Sequence, residues 1–564
     1  MKKIYSILHI ICIFLILGAL MLTIYSCTGT SGEIREYGWF DFVIPDLDTS
    51  DTEVNLAFLN DEEAGSTGFI TVKDGHFIDG NGKRIKFFGD NLTFGSCFLQ
   101  KDTATIFAAR LKKLGMNVIR FHHMDMNSAP GGIWNQDMTD LDSGQLERLD
   151  WLIYQLKLNG IYTNLNTHVS RTYPGVDYPG IGNFNFGKAI DQFYRPYIEM
   201  QKDYAKKLLT HLNPYTGNTY ADEPAVAFVE VNNENSLLSA WRVLPDLRPD
   251  HKNALIAQWK AWVISKPRYP KNADLMNIIG NYDKQDDLRK EMLWGFLMDT
   301  EMSYAKEMTT YYKNELKIHG LVCITQASYS WAQGMLREST YADFIDMHAY
   351  WEHPSFPNRP WSRTDWLIRN SSMVSDKQGG TLARFGHHRV AGMPYTITEY
   401  DHPAPSFFCA EMYPMLNAVA AFQDFDGIYH FDTNEPFGAG KILNFFATAG
   451  HPLKQVFIPA GAVIFRMNAV QPGNQTVRLD LPRESVLKRM VGAAAGQQAR
   501  SSGMGSIWED AGAPPALILM HPMSVNMNGE DLKLSDVIAS PAGPWDSETG
   551  ELSWDNRDSV NAVF

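Results

Sequence analysis

Ala225 to Glu234 reads AVAFVEVNNE. Apolar β-formers lead into two asparagines and a carboxylate, the pattern of a buried parallel strand with a polar C-terminal tip. Pro394 to Glu399 (PYTITE) has the same form and also ends in a glutamate. In an α/β barrel the C-terminal ends of the strands carry the chemistry. The fold therefore turns on whether these two runs belong to one ring of strands.

Working outward from them, strand-like runs alternate with helical ones. The first three strands are read at Ile85–Asn91 (IKFFGDN), Asn117–Phe121 (NVIRF) and Ile161–Thr167 (IYTNLNT). The stretch at 225–234 is the fourth; Leu321–Gln326, Phe344–Tyr350, Pro394–Glu399 and Asp426–Phe431 complete the set. Between them, Ala104, Phe107, Ala108, Leu111 and Leu114 keep helical spacing behind Asp102, read as a cap, and stop at Gly115. Asp142 and Gln145 have capping-box spacing before a helix that ends at Gly160, and another helix is read around Tyr197–Leu212. Residues 244–319 are mostly helical and longer than one crossover needs, an elaborated fourth connection. Eight strand runs separated by helices predict an α/β protein, a (β/α)8 TIM barrel, over an open doubly wound sheet. No glycine-rich phosphate loop follows any of the strands, which speaks against nucleotide binding.

At 564 residues the chain exceeds one ordinary domain. With 45% hydrophobic and 20% charged residues it is globular. A net charge of −14 excludes a nucleic-acid partner, which requires a basic surface. Lys2 and Lys3 precede an almost wholly apolar run, Ile4–Tyr25, and Ile24-Tyr25-Ser26-Cys27 resembles a bacterial lipobox. Cys27 is thus the expected lipidation site, and the body of the protein is expected outside the cytoplasm, anchored to a lipid bilayer on the periplasmic or cell-surface side. Cys97, Cys323 and Cys409 show no paired spacing and read as buried thiols.

Four segments follow. Residues 1–27 are a lipoprotein signal peptide. Residues 28–77 are a linker and a short β lead-in with turn signals at Asp74-Gly75 and, just beyond, Asp79-Gly80-Asn81-Gly82. Residues 78–455 are the barrel. Residues 456–564, where short β-rich runs alternate with Gly, Pro and Ser clusters, are expected to form an appended β-sandwich. Ser547–Asp555 (SETGELSWD) reads there as a hairpin whose partners would come next, so this domain is expected to be short or truncated.

Polar residues at the strand ends converge on one mouth. Strand two supplies Arg120 with His122 and His123, strand three His168, strand four Asn233 and Glu234, strand six His348 and Tyr350, and strand seven Glu399. Two carboxylates on two strand ends are the minimum for cleaving a glycosidic bond. Glu230, inside its strand, reads instead as a buried polar group paired within the barrel. Among the loop aromatics, Trp134, Tyr173, Tyr178, Tyr329, Trp331, Trp351 and Trp361 are candidates for sugar platforms or for burial beneath loops.

This constellation resembles glycoside hydrolase clan A, and within it the cellulase-like family 5 enzymes. The resemblance covers about Gly68–His451. It rests on the DG and DGNG turns, Gly-Asp-Asn after strand one, E-x-x-N-E at Glu230–Glu234, H-x-Y at His348–Tyr350 and T-E at Glu399. It implies Glu234 as general acid/base and Glu399 as nucleophile of a retaining hydrolase acting on a poly- or oligosaccharide, without cofactor or metal. In the same reading Arg120 and Tyr350 flank Glu399, Asn233 binds the sugar 2-hydroxyl, and His168 and His348 line the reacting subsite. Retention requires the two carboxyl groups to lie about 5–5.5 Å apart. The family's tryptophan after strand eight is missing: the strand ends His430-Phe431-Asp432, and Phe431 is the expected stacking ring. Glucan, mannan and galactan backbones all remain open.

Two rivals stand beside this reading. One is a metal-dependent barrel hydrolase using His122, His123, His168, His348 and Asp432, although strand one lacks the histidines such barrels use. The other is a surface lipoprotein that binds glycans without cleaving them.

Overall fold

Strand after strand, one side chain points into a ring and the next points out, and that alternation builds the site. A computed structural model describes residues 42–60, 62–171, 186–492, 503–514, 516–528, 533–535 and 543–564. Pro45–Phe564 form one compact unit and Met1–Ile44 another; every element named below belongs to the larger. Cys27 and the apolar N-terminal run lie outside the described residues, as do Tyr173 and Tyr178. Among the described residues no helix is long and apolar enough to cross a membrane.

A hairpin of β1 (Thr71–Lys73) and β2 (His76–Ile78) precedes the barrel. The barrel strands are β3 (Phe87–Thr93), β4 (Val118–His122), β5 (Tyr162–Asn166), β6 (Val226–Glu230), β7 (Leu321–Cys323), β8 (Ile345–His348), β9 (Tyr395–Glu399) and β10 (Gly427–His430). They are parallel, in the order β7-β6-β5-β4-β3-β10-β9-β8. Between β7 and β8 the ring closes through Asp343, whose backbone N–H donates to the Val322 carbonyl (2.8 Å) and whose carboxylate accepts from the Val322 N–H (2.7 Å). The barrel expected from the sequence is therefore present, with each strand where the apolar runs put it.

Side chains of alternate strand residues fill the barrel in layers. At the floor, Phe87, Tyr162, Phe228, Phe344 and Tyr429 form an apolar cluster with Phe77 of β2, whose ring meets Phe87 at 5.6 Å, Phe228 at 5.0 Å and Phe344 at 5.7 Å. The hairpin thus plugs the barrel's N-terminal end. One layer higher the same strands present Asn91, Arg120, Asn164, Glu230 and Asp346, all 0% exposed. The out-facing set, Ile119, Phe121, Leu165, Val229, Val322, Ile345 and Ile397 among it, packs against the helices in the main apolar core.

Those helices begin with α1 (Lys101–Lys113), α2 (Ser143–Leu158) and α3 (Arg195–Leu209). Gln100, not Asp102, occupies the cap position of α1 and makes no side-chain cap bond; Asp102 sits within the first turn, where its charge faces the helix dipole. Asp142 does cap α2, accepting from Gln145 N at 2.9 Å, but the Gln145 amide turns away to the Pro130 and Gly132 carbonyls. Gly115 and Gly160 follow their helices at φ +76° and +70°, the left-handed ending the sequence suggests. The long fourth connection holds α4 (Pro249–Ser265), α5 (Leu275–Gly280) and α6 (Asp287–Thr310). Further on lie α7 (Trp331–Tyr341), α8 (Leu382–Gly386), α9 (Met412–Phe422) and α10 (Pro452–Arg466).

The C-terminal part differs from the expected sandwich in two respects. The boundary drawn at 456 falls inside α10, which packs on α9 as the barrel's last helix. Beyond it come α11 (Arg483–Gly492), α12 (Gly503–Asp510) and α13 (Leu517–Met520). They accompany a three-stranded sheet of β11 (Val477–Asp480), β12 (Met523–Asn526) and β13 (Lys533–Leu534), and a hairpin of β14 (Trp545–Asp546) and β15 (Ser553–Trp554). The β structure foreseen there is present as two small sheets, with helices between their strands along the chain. The Gln423 amide, donating to Ile518 and His521 carbonyls at 2.5 and 2.7 Å, and Trp554 Nε1, donating to Val374 O at 2.6 Å, tie this part to the barrel.

Candidate active site

Arg120 is the centre of the polar layer. All five of its N–H donors are used. Nε and Nη2 grip Glu230 through both oxygens at 2.8 Å, and Nη1 donates to Glu399 Oε1 at 2.8 Å. The remaining two reach Asn91 Oδ1 and Asn233 Oδ1, each at 3.0 Å. Such a fork is geometrically specific in a way a lysine could not be. Glu230 is completed by the amides of Asn164 (2.8 Å) and Asn166 (2.7 Å). Its carboxylate is thus the buried counter-ion of Arg120.

Glu399 ends β9, where a register shift pairs Met347 with Ile397 but His348 with Glu399. The extra residue, Thr398, re-aims the glutamate towards the barrel axis, a frequent use of a bulge beside a functional site. Its second oxygen accepts from Tyr350 OH at 2.5 Å. Donors on both oxygens suit an ionised carboxylate. Burial pushes the Glu399 pKa up, and His348 and Arg120 oppose that rise.

Glu234 lies four residues past β6, not at the end of a continuous strand. The ladder stops at Glu230, after which Val231 and Asn232 donate to the Cys323 and Ile324 carbonyls (both 2.9 Å) and Asn233 to the His168 carbonyl (2.8 Å). Glu234 itself has φ +46°, strained for a residue with a Cβ, and is held there by its N–H donating to Gln326 Oε1 at 2.7 Å. Tyr329 also hydrogen-bonds its carboxylate. The Glu234 side chain is 26% exposed against 4% for Glu399, so it is the carboxylate that meets solvent.

His348 stands between them. Its Nδ1 is 2.8 Å from Glu234 Oε1 and 3.4 Å from Glu399 Oε1, and its Nε2 is 2.8 Å from Thr398 Oγ1 and 3.3 Å from Asp346 Oδ2. Burial disfavours its charge, but Glu399, Asp346 and Glu234 together outweigh that and raise its pKa to about 10. For Glu234 burial is likewise the largest influence, upwards, yet His348 and Lys188 bring the pKa down to about 2. The proton of the pair therefore rests on the imidazole. One oxygen from each glutamate and Nδ1 of His348 all lie within 4.8 Å of one another.

This is the one cluster of potential metal-ligating side chains among the described residues. A divalent ion there would face the Arg120 guanidinium and a protonated imidazole, and the donor set does not suit it. The five residues of the metal rival do not converge. His123 Nδ1 pairs with Ser170 Oγ at 2.7 Å, and Asp432 Oδ2 accepts from Thr93 Oγ1 and the Asn434 amide at 3.1 and 2.6 Å. His122 does approach the centre, with Nε2 3.4 Å from Glu399 Oε1.

No family model and no curated protein matches this chain. Solved structures do. An endo-β-1,4-mannanase from Thermotoga petrophila is similar at 15% identity and TM-score 0.45, over 71% of this chain and 83% of that one. An endo-1,4-β-mannanase from Rhizomucor miehei is similar at 15% identity and TM-score 0.44, over 70% of this chain and 99% of that one. An exo-β-1,4-mannosidase from Opitutaceae bacterium strain TAV5 is similar at 16% identity and TM-score 0.44, over 73% of this chain and 65% of that one. Likenesses this distant carry no argument about what the chain does, which rests on its own atoms.

The structure brings Arg120, Asn233, Glu234, His348, Tyr350 and Glu399 together. Phe431 flanks them, edge-on to His122 at 5.8 Å and to Tyr350 at 6.0 Å. His168 corrects an expectation. Its Nδ1 faces Asp125 at 3.3 Å and its Nε2 faces Asp191 at 3.1 Å, so the buried ring is no subsite wall, and it serves through the carbonyl that holds Asn233. Trp134 is fully buried, its indole N–H donating to Asp125 O, and is no platform, whereas Trp361 is 61% exposed. Gln326 and, as a partner of Glu234 rather than a candidate sugar platform, Tyr329 escaped the sequence reading, as did Lys188. The first two sit just past β7, where Thr325-Gln326 marked a strand tip without a recognised motif.

Proposed function

We propose that the protein is a retaining glycoside hydrolase that cleaves O-glycosidic bonds in a poly- or oligosaccharide by double displacement. The observation that carries this reading is the approach of the Glu234 and Glu399 carboxylates to within 4.8 Å. That approach lies near the roughly 5–5.5 Å of retaining enzymes and well short of the 6.5–9.5 Å of inverting ones, which must hold a water between sugar and base.

Glu399, ionised and held by Arg120 and Tyr350, attacks the anomeric carbon while a proton passes to the departing oxygen. In the resting site that proton is on His348, 2.8 Å from Glu234. Attack turns the Glu399 carboxylate into an ester and removes the foremost charge that keeps the imidazole protonated. The proton is thereby released along the Nδ1–Oε1 bond to Glu234 and on to the leaving group as the nucleophile is consumed. In the second half Glu234 takes a proton from water, the water opens the ester, and the restored Glu399 charge draws the proton back to His348. Charges and protons balance over the cycle. Asn233, its Oδ1 fixed by Arg120, presents its amide NH2 to the 2-hydroxyl, a contact that strengthens as oxocarbenium character develops.

Two outcomes follow from this proton path. Wild-type activity is lost on the alkaline side only as pH approaches about 10, the value at which His348 gives up its proton. In His348→Ala the proton must reside on Glu234 alone, so the alkaline limb moves down towards the carboxylate range and kcat at neutral pH falls roughly 10²-fold. Unchanged limbs would refute the path. The reaction class itself is tested by a screen of aryl-glycosides and polysaccharides with Glu399→Ala as control. Tight binding without turnover of any glycan would favour the non-catalytic alternative. The anchor reading stays tied to Cys27, and labelled palmitate is expected to enter the wild type but not Cys27→Ala.

A further inference from the structure

Lys188 carries a charge that no described residue pairs. It lies on a short segment between Phe186 (φ +62°) and Ala189 (φ +67°). That segment is locked to the turn bearing Glu234: the Ala189 N–H donates to Asn235 Oδ1 at 2.8 Å, and the Asp191 carboxylate accepts from the Asn235 and Asn232 amides at 2.8 and 2.9 Å. The lysine is partly buried, and burial lowers its pKa against the pull of Glu234, Asp191, Glu399 and Asp125. Yet its ammonium makes no hydrogen bond or ion pair of 4.0 Å or less with any described residue.

Lysines buried elsewhere behave differently. Lys86 donates to Asn468 at 2.7 Å, Lys113 to Asp48 at 2.6 Å and Lys454 to Asp401 at 2.8 Å. An ammonium withdrawn from water without an acceptor is costly, and a bound ligand would relieve that cost. Arg120 cannot share the task, because its donors are all engaged. A second basic group attends the same part of the mouth. Arg363 lies 6.0 Å over the Phe94 ring, which stacks on His123 at 4.4 Å, and His123 in turn feels the charge of Lys188. Arg363 too makes no ion pair among the described residues. A half-buried lysine without a partner among the described residues beside Glu234, with the exposed Arg363 near the same histidine, in a chain of net charge −14, points to selection for negative charge on the substrate.

We propose that Lys188 is a specificity-determining residue that receives an anionic substituent, a carboxylate or a sulfate ester, on the sugar beside the scissile bond. This rests on the glycosidase reading above and narrows its substrate class. The test compares matched oligosaccharides, neutral, uronic-acid-containing and sulfated, on the full chain as wild type, Lys188→Met and Lys188→Arg. The wild type is expected to favour at least one anionic member over its neutral twin by about tenfold in kcat/KM, a ratio that falls with added salt. Lys188→Met is expected to cut the ratio about tenfold, and Lys188→Arg to keep most of it. The arm that responds, uronate or sulfate, names the substituent. Equal loss on neutral and anionic members, or no anionic preference in the wild type, overturns the proposal. Calorimetric binding of the same pairs to Glu399→Gln reads the ratio without turnover, so failure of the hydrolase reading and failure of this one remain distinguishable.

Discussion

Glu399→Ala is expected to lower kcat by at least about 10⁴-fold, some 5 kcal/mol of barrier, while leaving the fold intact. The magnitude follows from what is removed. The oxygen that attacks the anomeric carbon is lost, and no other carboxylate can replace it, since Glu230 is gripped through both oxygens by Arg120 and Glu234 lies on the leaving-group side. The vacated space borders Arg120 and Tyr350, donors that would welcome a small anion. Added azide should therefore restore part of the turnover and give a glycosyl azide of inverted configuration, because the anion attacks from the face the carboxylate occupied. Glu234→Ala should behave otherwise. Its loss, about 10²–10⁴-fold on substrates whose leaving group needs a proton, should nearly vanish on activated aryl-glycosides. Equal losses for the two variants on every leaving group would refute the division of roles. So would an inverted product from the wild type.

How far the sequence announced this site depends on which physical signal each residue leaves. The strands were legible because buried parallel strands are continuous apolar runs, and the carboxylates at their tips stood out against that background. Glu230 was legible as structural because it falls two residues after Phe228, on the inward side of β6. Interactions that depend on backbone detail were not legible. Nothing in AVAFVEVNNE says that the ladder ends at Glu230 or that Glu234 sits at φ +46°, because the tether, Gln326, is ninety-two residues distant. His168 looked like a subsite wall because a histidine at a strand tip is ambiguous until its neighbours are known. Asp125 and Asp191, which claim both its nitrogens, come from two different loops. Lys188 left no mark at all, since a single lysine in a polar loop reads as solvated. The C-terminal part misled for a compositional reason. Gly, Pro and Ser clusters between short β-rich runs signal turns, but they do not reveal that α11 to α13 thread between them.

Arg120→Ala should destabilise the protein by about 3–5 kcal/mol, the cost of leaving a buried charge without its partner. The side chain is 0% exposed and answers two carboxylates and two amide oxygens. Its removal therefore orphans five acceptor oxygens in one dry layer. The deficit should depend on pH, and the sign can be worked out. Without the guanidinium, burial drives the folded-state pKa of Glu399 still further above its unfolded value of about 4.3. The folded variant then binds more protons than its unfolded chain between that value and the raised one, and across this window its stability falls as pH rises. Relative to the wild type, Arg120→Ala should thus be closest in melting temperature near pH 4 and fall progressively behind towards neutrality. Arg120→Lys restores one charge but at most three donors on a single nitrogen, so it can shadow one carboxylate and not bridge both. It should recover part of the stability and little of the activity, because Asn233 and Glu399 lose the shared fork that sets their distance. A pH-independent deficit would mean that Glu399 does not depend on Arg120 for its charge, and the geometry of the nucleophile would then need another source.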